Sequence, residues 1–100
     1  MPKGRIDAVA DGLLLVSGEL VFASAAELLQ RADGLLAGGS PLTIDLAAVG
    51  DCDSAGLALL LEWLDLGRQR GITVRYRNIP DALLGIARLS NVVELIAPAD

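Results

Sequence analysis

Apolar residues recur along this chain with two different periods, and the switches between them mark its elements. Two short strands are predicted around Asp11-Gly12, with RIDAV leading in and LLLVSGEL leading out. Asp-Gly favours a tight hairpin because glycine accepts positive φ without steric cost. The period then lengthens. VFASAAELLQRADGLLAGG reads as a helix with Leu28, Ala32, Leu35 and Leu36 on one face, a Ser24/Glu27 capping box, and Gly38 and Gly39 as its stop. PLTIDLAAV reads as a central strand. SAGLALLLEWLDLGRQRG reads as a second helix ended at Gly71, with Arg68 and Arg70 placed where cations complement the helix dipole. ITVRYRNI alternates as a strand, setting Ile72, Val74 and Tyr76 opposite Thr73, Arg75 and Arg77. PDALLGIARLS is a third helix with Pro80 near its first turn, VVELI a last short strand, and APAD a tail. Without repeats, low-complexity blocks or linkers, this order predicts one α/β domain over residues 1–100, a mixed sheet with helices packed against it.

The second helix is apolar on two sides. At about 100° per residue, Leu57, Leu60, Leu61 and Leu64 make the natural core stripe, and Leu59, Trp63 and Leu66 a second stripe nearly opposite. A helix on a sheet normally buries one stripe and solvates the other. Either neighbouring helices cover the second stripe, or it is an exposed interface anchored by the only tryptophan. The third helix, with Leu83, Leu84, Ile86, Ala87 and Leu89, is also more apolar than one face requires. Composition bears on this choice. The apolar share is 53% in a chain of 100 residues. So small a domain has too little interior to hide it all, which favours a protein that works against a partner.

Charge and residue inventory remove several functions. Net charge is −5, which disfavours free nucleic acid as a partner. Arg68, Arg70, Arg75 and Arg77 do cluster, either as solvated charges or as a patch for an acidic partner region. There is no histidine and only one cysteine, so neither a zinc site nor a histidine-based triad can be built. No apolar run approaches the ~20 residues a bilayer requires, and no signal-peptide h-region is visible. A single cysteine is the usage expected of a reduced, cytoplasmic protein.

The loop DCDSAG is where chemistry could sit. In the plain structural reading, Gly50 permits a turn and Asp53 or Ser54 caps the second helix, with Cys52 tucked beneath. An Asp-x-Asp phosphatase loop would need a divalent ion, a lysine and further carboxylates, yet the one lysine is Lys3. A nucleophilic Ser54 would need an adjacent base. The remaining reading makes Ser54 a site that a partner touches or phosphorylates. A helix N-terminus can accept a phosphate, while Asp51 and Asp53 would repel it, an opposition suited to a switch.

From Asp45-Leu46, through the short loop, to Asp53-Ser54-Ala55-Gly56-Leu57, the chain resembles the STAS domain, the fold of anti-sigma-factor antagonists. LLLVSGEL matches that family's early strand, and the resemblance extends over nearly the whole chain. Within the family, DSAGLALL and the helix after it look most like the stand-alone STAS subunit of Mla-type phospholipid ABC transporters, which maintain outer-membrane lipid asymmetry. Sigma-regulating relatives more often carry a second serine where this chain has Ala55, and Cys52 replaces a bulkier apolar residue. The resemblance implies a non-catalytic cytoplasmic subunit without cofactor or metal. It would be held at the inner membrane through an ATPase subunit, and through that subunit to a permease complex. It also implies that Ser54 sits at the ATPase contact, with the second and third helices as the docking surface. The expected contact residues are Asp53, Ser54, Ala55, Gly56, Leu59, Trp63 and Leu66. The alternative is an anti-sigma-factor antagonist switched by phosphorylation of Ser54.

Overall fold

The structure, a computed structural model, describes residues 3–35 and 41–97. Its elements run β1 (Arg5–Ala10), β2 (Leu13–Leu20), α1 (Phe22–Leu35), β3 (Leu42–Cys52), α2 (Ser54–Gln69), β4 (Val74–Arg77), α3 (Asp81–Leu89) and α4 (Val93–Ile96). The strands lie in one sheet in chain order. β1 and β2 form the antiparallel hairpin, turning at Gly12 with φ +70°. β2–β3 and β3–β4 are parallel, with α1 and α2 as the crossovers that parallel neighbours require. The chain is thus the small α/β domain with a mixed sheet that its pattern predicts.

Alternation decides which sheet face is covered. Leu14, Val16 and Leu20 of β2 and Leu42, Ile44 and Leu46 of β3 are buried. They join Leu28 and Ala32 of α1, Leu57, Leu59, Leu60 and Trp63 of α2, Leu83 and Ala87 of α3 and Ile96 of α4 in one core. Tyr76 of β4 is tied to α2 by its phenol, which donates to the carbonyl of Leu60 (2.5 Å). Burial pushes that phenol's pKa well above its ordinary value.

On the opposite face, Leu15, Asp45 and Arg77 lie side by side in register. Leu15 pairs with Asp45 but Ser17 pairs with Ala48, so β3 carries an extra residue there. Asp45 stabilises this bulge. Its Oδ1 accepts from the Ala47 N–H (2.9 Å) and from Asn78 Nδ2 (3.1 Å), and its Oδ2 accepts from Arg77 Nε (3.1 Å) and Nη2 (3.0 Å). The Ala47 N–H first, then Asn78 and Arg77, hold the carboxyl below its usual pKa.

Four expectations need correction. The first helix starts at Phe22, so Ser24 is buried in its first turn and is no N-cap. Ser24 Oγ donates to Glu19 O (2.8 Å) and accepts from Val21 N–H (3.3 Å), the back-reaching role expected of Glu27. Glu27 instead pairs with Lys3 and Arg31. VVELI is not a strand: Asn91 at φ 58° turns the chain back, and α4 drops Ile96 into the core. The central strand runs beyond Val49 to Cys52. The fourth strand is trimmed to Val74–Arg77, although Ile72 is buried as expected. Leu36, Gly38, Gly39 and the last three residues of APAD lie outside the described residues, as does the side chain of Leu35.

Asp45→Asn is expected to destabilise the fold by on the order of 1–3 kcal/mol at pH 7, the range for hydrogen bonds to charged groups. Because the folded carboxyl titrates below the unfolded one, its contribution is complete above about pH 4 and disappears as pH falls through the folded value. Urea unfolding of wild type and variant should therefore differ at pH 7 and converge in strong acid.

Candidate protein-docking site

β3 delivers Asp53 to the carboxyl end of the sheet, where its carboxylate caps two helices. Oδ1 accepts from the N–H groups of Ala55 (2.8 Å) and Gly56 (3.4 Å) at the start of α2. Oδ2 accepts from the Phe22 N–H (3.3 Å) at the start of α1. The Asp53 N–H donates in turn to Leu20 O (3.2 Å). Gly56 is buried against the same strand end, and a Cβ there would lie 2.5 Å from Leu20 O, so only glycine lets α2 begin this close to β2.

This geometry reassigns part of the expected contact set. The N–H groups of Ala55 and Gly56 point to Asp53 and are not open to a partner. Both Asp53 oxygens are taken by backbone donors, so its carboxylate serves as a helix cap. Among the described residues no group of three or more histidine, cysteine, aspartate or glutamate side chains could hold a metal. Cys52 is half-buried, and its pKa is raised by that burial first and then by Asp53 and Asp51, which keeps the thiol protonated. Ser54, by contrast, is the first residue of α2, exposed, and its hydroxyl finds no partner among the described residues.

Of the two readings of the second stripe of α2, cover by neighbouring helices holds for Leu59 and Trp63, and the exposed interface does not. Leu59 and Trp63 are buried, Trp63 completely, and Leu66 is half-buried in a groove with Leu29, Gln30 and Glu62. The reason is that α2 touches α1, α3 and α4 as well as the sheet, so its covered arc is wide. What faces outward is the line Ser54, Ala58, Leu61 and Asp65, spaced i, i+4, i+7, i+11 along one side of the helix. Ser54 and Ala58 are exposed, and Leu61 and Asp65 half-buried. The line runs into a groove of about 320 Å³ between α2 and α4, lined by Leu61, Leu64, Asp65, Arg68 and Leu95. The arginine cluster also divides: Arg68 pairs with Asp65 (2.8 Å) and Arg77 with Asp45.

Two further residues escaped the sequence reading. Phe22 is 84% exposed and Leu95 60%. Phe22 was detectable in principle, since it lies about 120° around α1 from the Leu28 position. Leu95 was hidden by reading its segment as a strand.

The fold is a small mixed sheet with helices packed on one face, and a family model described as "Mlab, STAS domain" matches residues 7–97. The chain belongs to that family. The intermembrane phospholipid transport system binding protein MlaB of Escherichia coli (strain K12) is 36% identical over 55 residues, 55% of this chain and 57% of that protein. MlaB of Shigella flexneri gives the same figures. The matched segment is little more than half the length of these relatives. Among solved structures, the unphosphorylated anti-sigma-factor antagonist SpoIIAA aligns with a TM-score of 0.71 over 97% of this chain and 88% of its own, at 13% identity, a likeness of fold alone.

The indole Nε1 of Trp63 is buried without a hydrogen-bond partner among the described residues. Trp63→Ala should cost about 3–5 kcal/mol by leaving a cavity. Trp63→Phe should cost much less, because it also removes an unsatisfied donor. Denaturant unfolding checks both; an exposed anchor would leave stability unchanged in either variant.

Proposed function

We propose that this chain is a non-catalytic accessory subunit of an Mla-type phospholipid ABC transporter, docking on the ATPase subunit at the cytoplasmic face and reaching the permease through it. It acts by biasing the stability and conformation of the ATPase, without breaking bonds itself. Membership of the Mlab family and the likeness to MlaB support the transporter setting. The observation that carries the docking reading is the unpartnered Ser54 hydroxyl at the head of the Ala58–Leu61 line, which opens into the α2–α4 groove. Among the described residues no helix is long and apolar enough to cross a membrane, consistent with attachment through a partner.

In this reading the expected contact residues divide by role. Ser54 makes the contact, joined by Ala58, Leu61 and Leu95. Asp53, Ala55 and Gly56 position it, and Leu59 and Trp63 support it from the core. Leu66 remains available at the groove on the α1 side. The anti-sigma-factor antagonist is the second reading, favoured by the SpoIIAA-like fold and by the open hydroxyl of Ser54.

Ser54→Arg places a bulky cation at an exposed position. It should abolish co-purification with a co-expressed transporter ATPase while leaving the melting temperature within about 2 °C, the small effect expected of a surface change. An unaltered complex contradicts the docking reading. Phosphate found on Ser54 by mass spectrometry, with release of a kinase partner and no ATPase bound, establishes the second reading instead.

A further inference from the structure

We propose that the free edge of β1 joins two copies of this chain into a homodimer, the two β1 strands pairing antiparallel about a twofold axis at Ile6. β1 is an outer strand of the sheet, and among the described residues only β2 pairs with it. A free edge offers N–H and C=O groups to another strand, and proteins commonly block such edges with charges or bulges. Here both devices leave the start of the strand usable. The register slip lies between Ala8 and Ala10, and the two charges, Arg5 and Asp7, are of opposite sign. Both are exposed on the sheet face away from the helices, with buried Ile6 between them, and they pair with each other along the strand (3.4 Å).

Symmetry and charge select the occupant and its register. A twofold axis perpendicular to the sheet keeps every side chain on its own face, so odd-numbered residues can lie opposite only odd ones, and even opposite even. An axis at Ile6 sets Arg5 of each copy opposite Asp7 of the other, giving two ion pairs across the join. Axes at the residues on either side set Arg5 against Arg5 or Asp7 against Asp7, and like charges directly opposite destabilise a strand pair. The Ile6 axis also places Ile6 beside Ile6 on the helix side, so the buried row continues across the join, and residues 4–8 suffice, short of the slip. Because α1 packs on β1 as well as β2, a copy joined here brings its own α1 alongside and adds helix contact to the strand pairing. The join lies on the α1 flank of the sheet, away from the α2–α4 groove, so the dimer leaves the Ser54 line open.

The test is sedimentation of the purified chain over a range of concentrations, in about 0.15 M salt, where net charge is screened beyond ~8 Å. Wild type, Arg5→Asp, Asp7→Arg, the double swap Arg5→Asp/Asp7→Arg and Ser54→Arg are compared, each with a melting curve. Wild type should dimerise. Each single reversal should dimerise at least about tenfold more weakly, since both ion pairs become like-charge pairs. Its melting temperature should stay within about 2 °C, as for a surface change. The double swap should dimerise as wild type does. So should an equal mixture of the two single variants, because one then brings two acidic positions and the other two basic ones; a merely structural role for either residue gives no such rescue. Ser54→Arg should dimerise as wild type does. A monomeric wild type overturns the proposal, as do single reversals that dimerise normally or a mixture that stays monomeric. Loss of the dimer in Ser54→Arg instead places the second copy on the docking face and overturns it too.

Discussion

The carboxylate of Asp53 is the point on which the working end of this molecule depends. Helix starts leave N–H groups without intrahelical acceptors, and the usual remedy is a side chain just before each helix, worth about 1 kcal/mol. Here α2 has that remedy and α1 borrows it. Oδ1 serves Ala55 and Gly56, and Oδ2 crosses to Phe22. The two helices are thereby held to start side by side at the carboxyl end of the sheet. Gly56 permits the close approach to Leu20, and Ser54 and Phe22 become the residues presented outward.

The burial of Trp63 follows from the same arrangement. With α1 on one flank and α3 and α4 on the other, α2 covers most of its circumference, and its largest side chain fills the centre of the core. The outward strip is narrow, made of small and half-buried residues. The opposite sheet face has its own organiser. Asp45 repairs the bulge in β3 while tying β3 to Arg77 at the end of β4, so the loop that follows leaves the sheet in a defined direction.

Much of this was legible in the chain, and the gaps have physical causes. The hairpin at Asp11-Gly12, the end of α2 at Gly71 and the inward set Ile72, Val74 and Tyr76 each rest on local chemistry within a few residues. The α/β class followed from the order of periods. Which stripe of α2 is buried could not be settled that way, because a helical wheel gives directions and not neighbours; Trp63 turned inward because α2 has packing partners on both flanks. The start of α1 was misplaced because its cap, Asp53, lies 31 residues further along the chain. VVELI carries strand-like residues, but Asn91 folds it back against α3 and it closes as a single helical turn. The motif left both Asp53 and Ser54 open as the cap of α2, and the structure selects Asp53, whereas the exposure of Phe22 and Leu95 needed the neighbouring elements in place.

The double cap is tested most directly by amide hydrogen exchange of wild type, Asp53→Asn and Asp53→Ala, followed residue by residue by NMR. Asparagine keeps one carbonyl oxygen for α2 but replaces the other oxygen with a donor. The expected result is faster exchange at Phe22 in Asp53→Asn with Ala55 still protected, and loss of protection at Phe22 and Ala55 in Asp53→Ala, whereas Gly56 keeps its bond to the Asp53 carbonyl (3.0 Å) in both. Phe22 exchange equal to wild type in both variants would contradict a shared carboxylate.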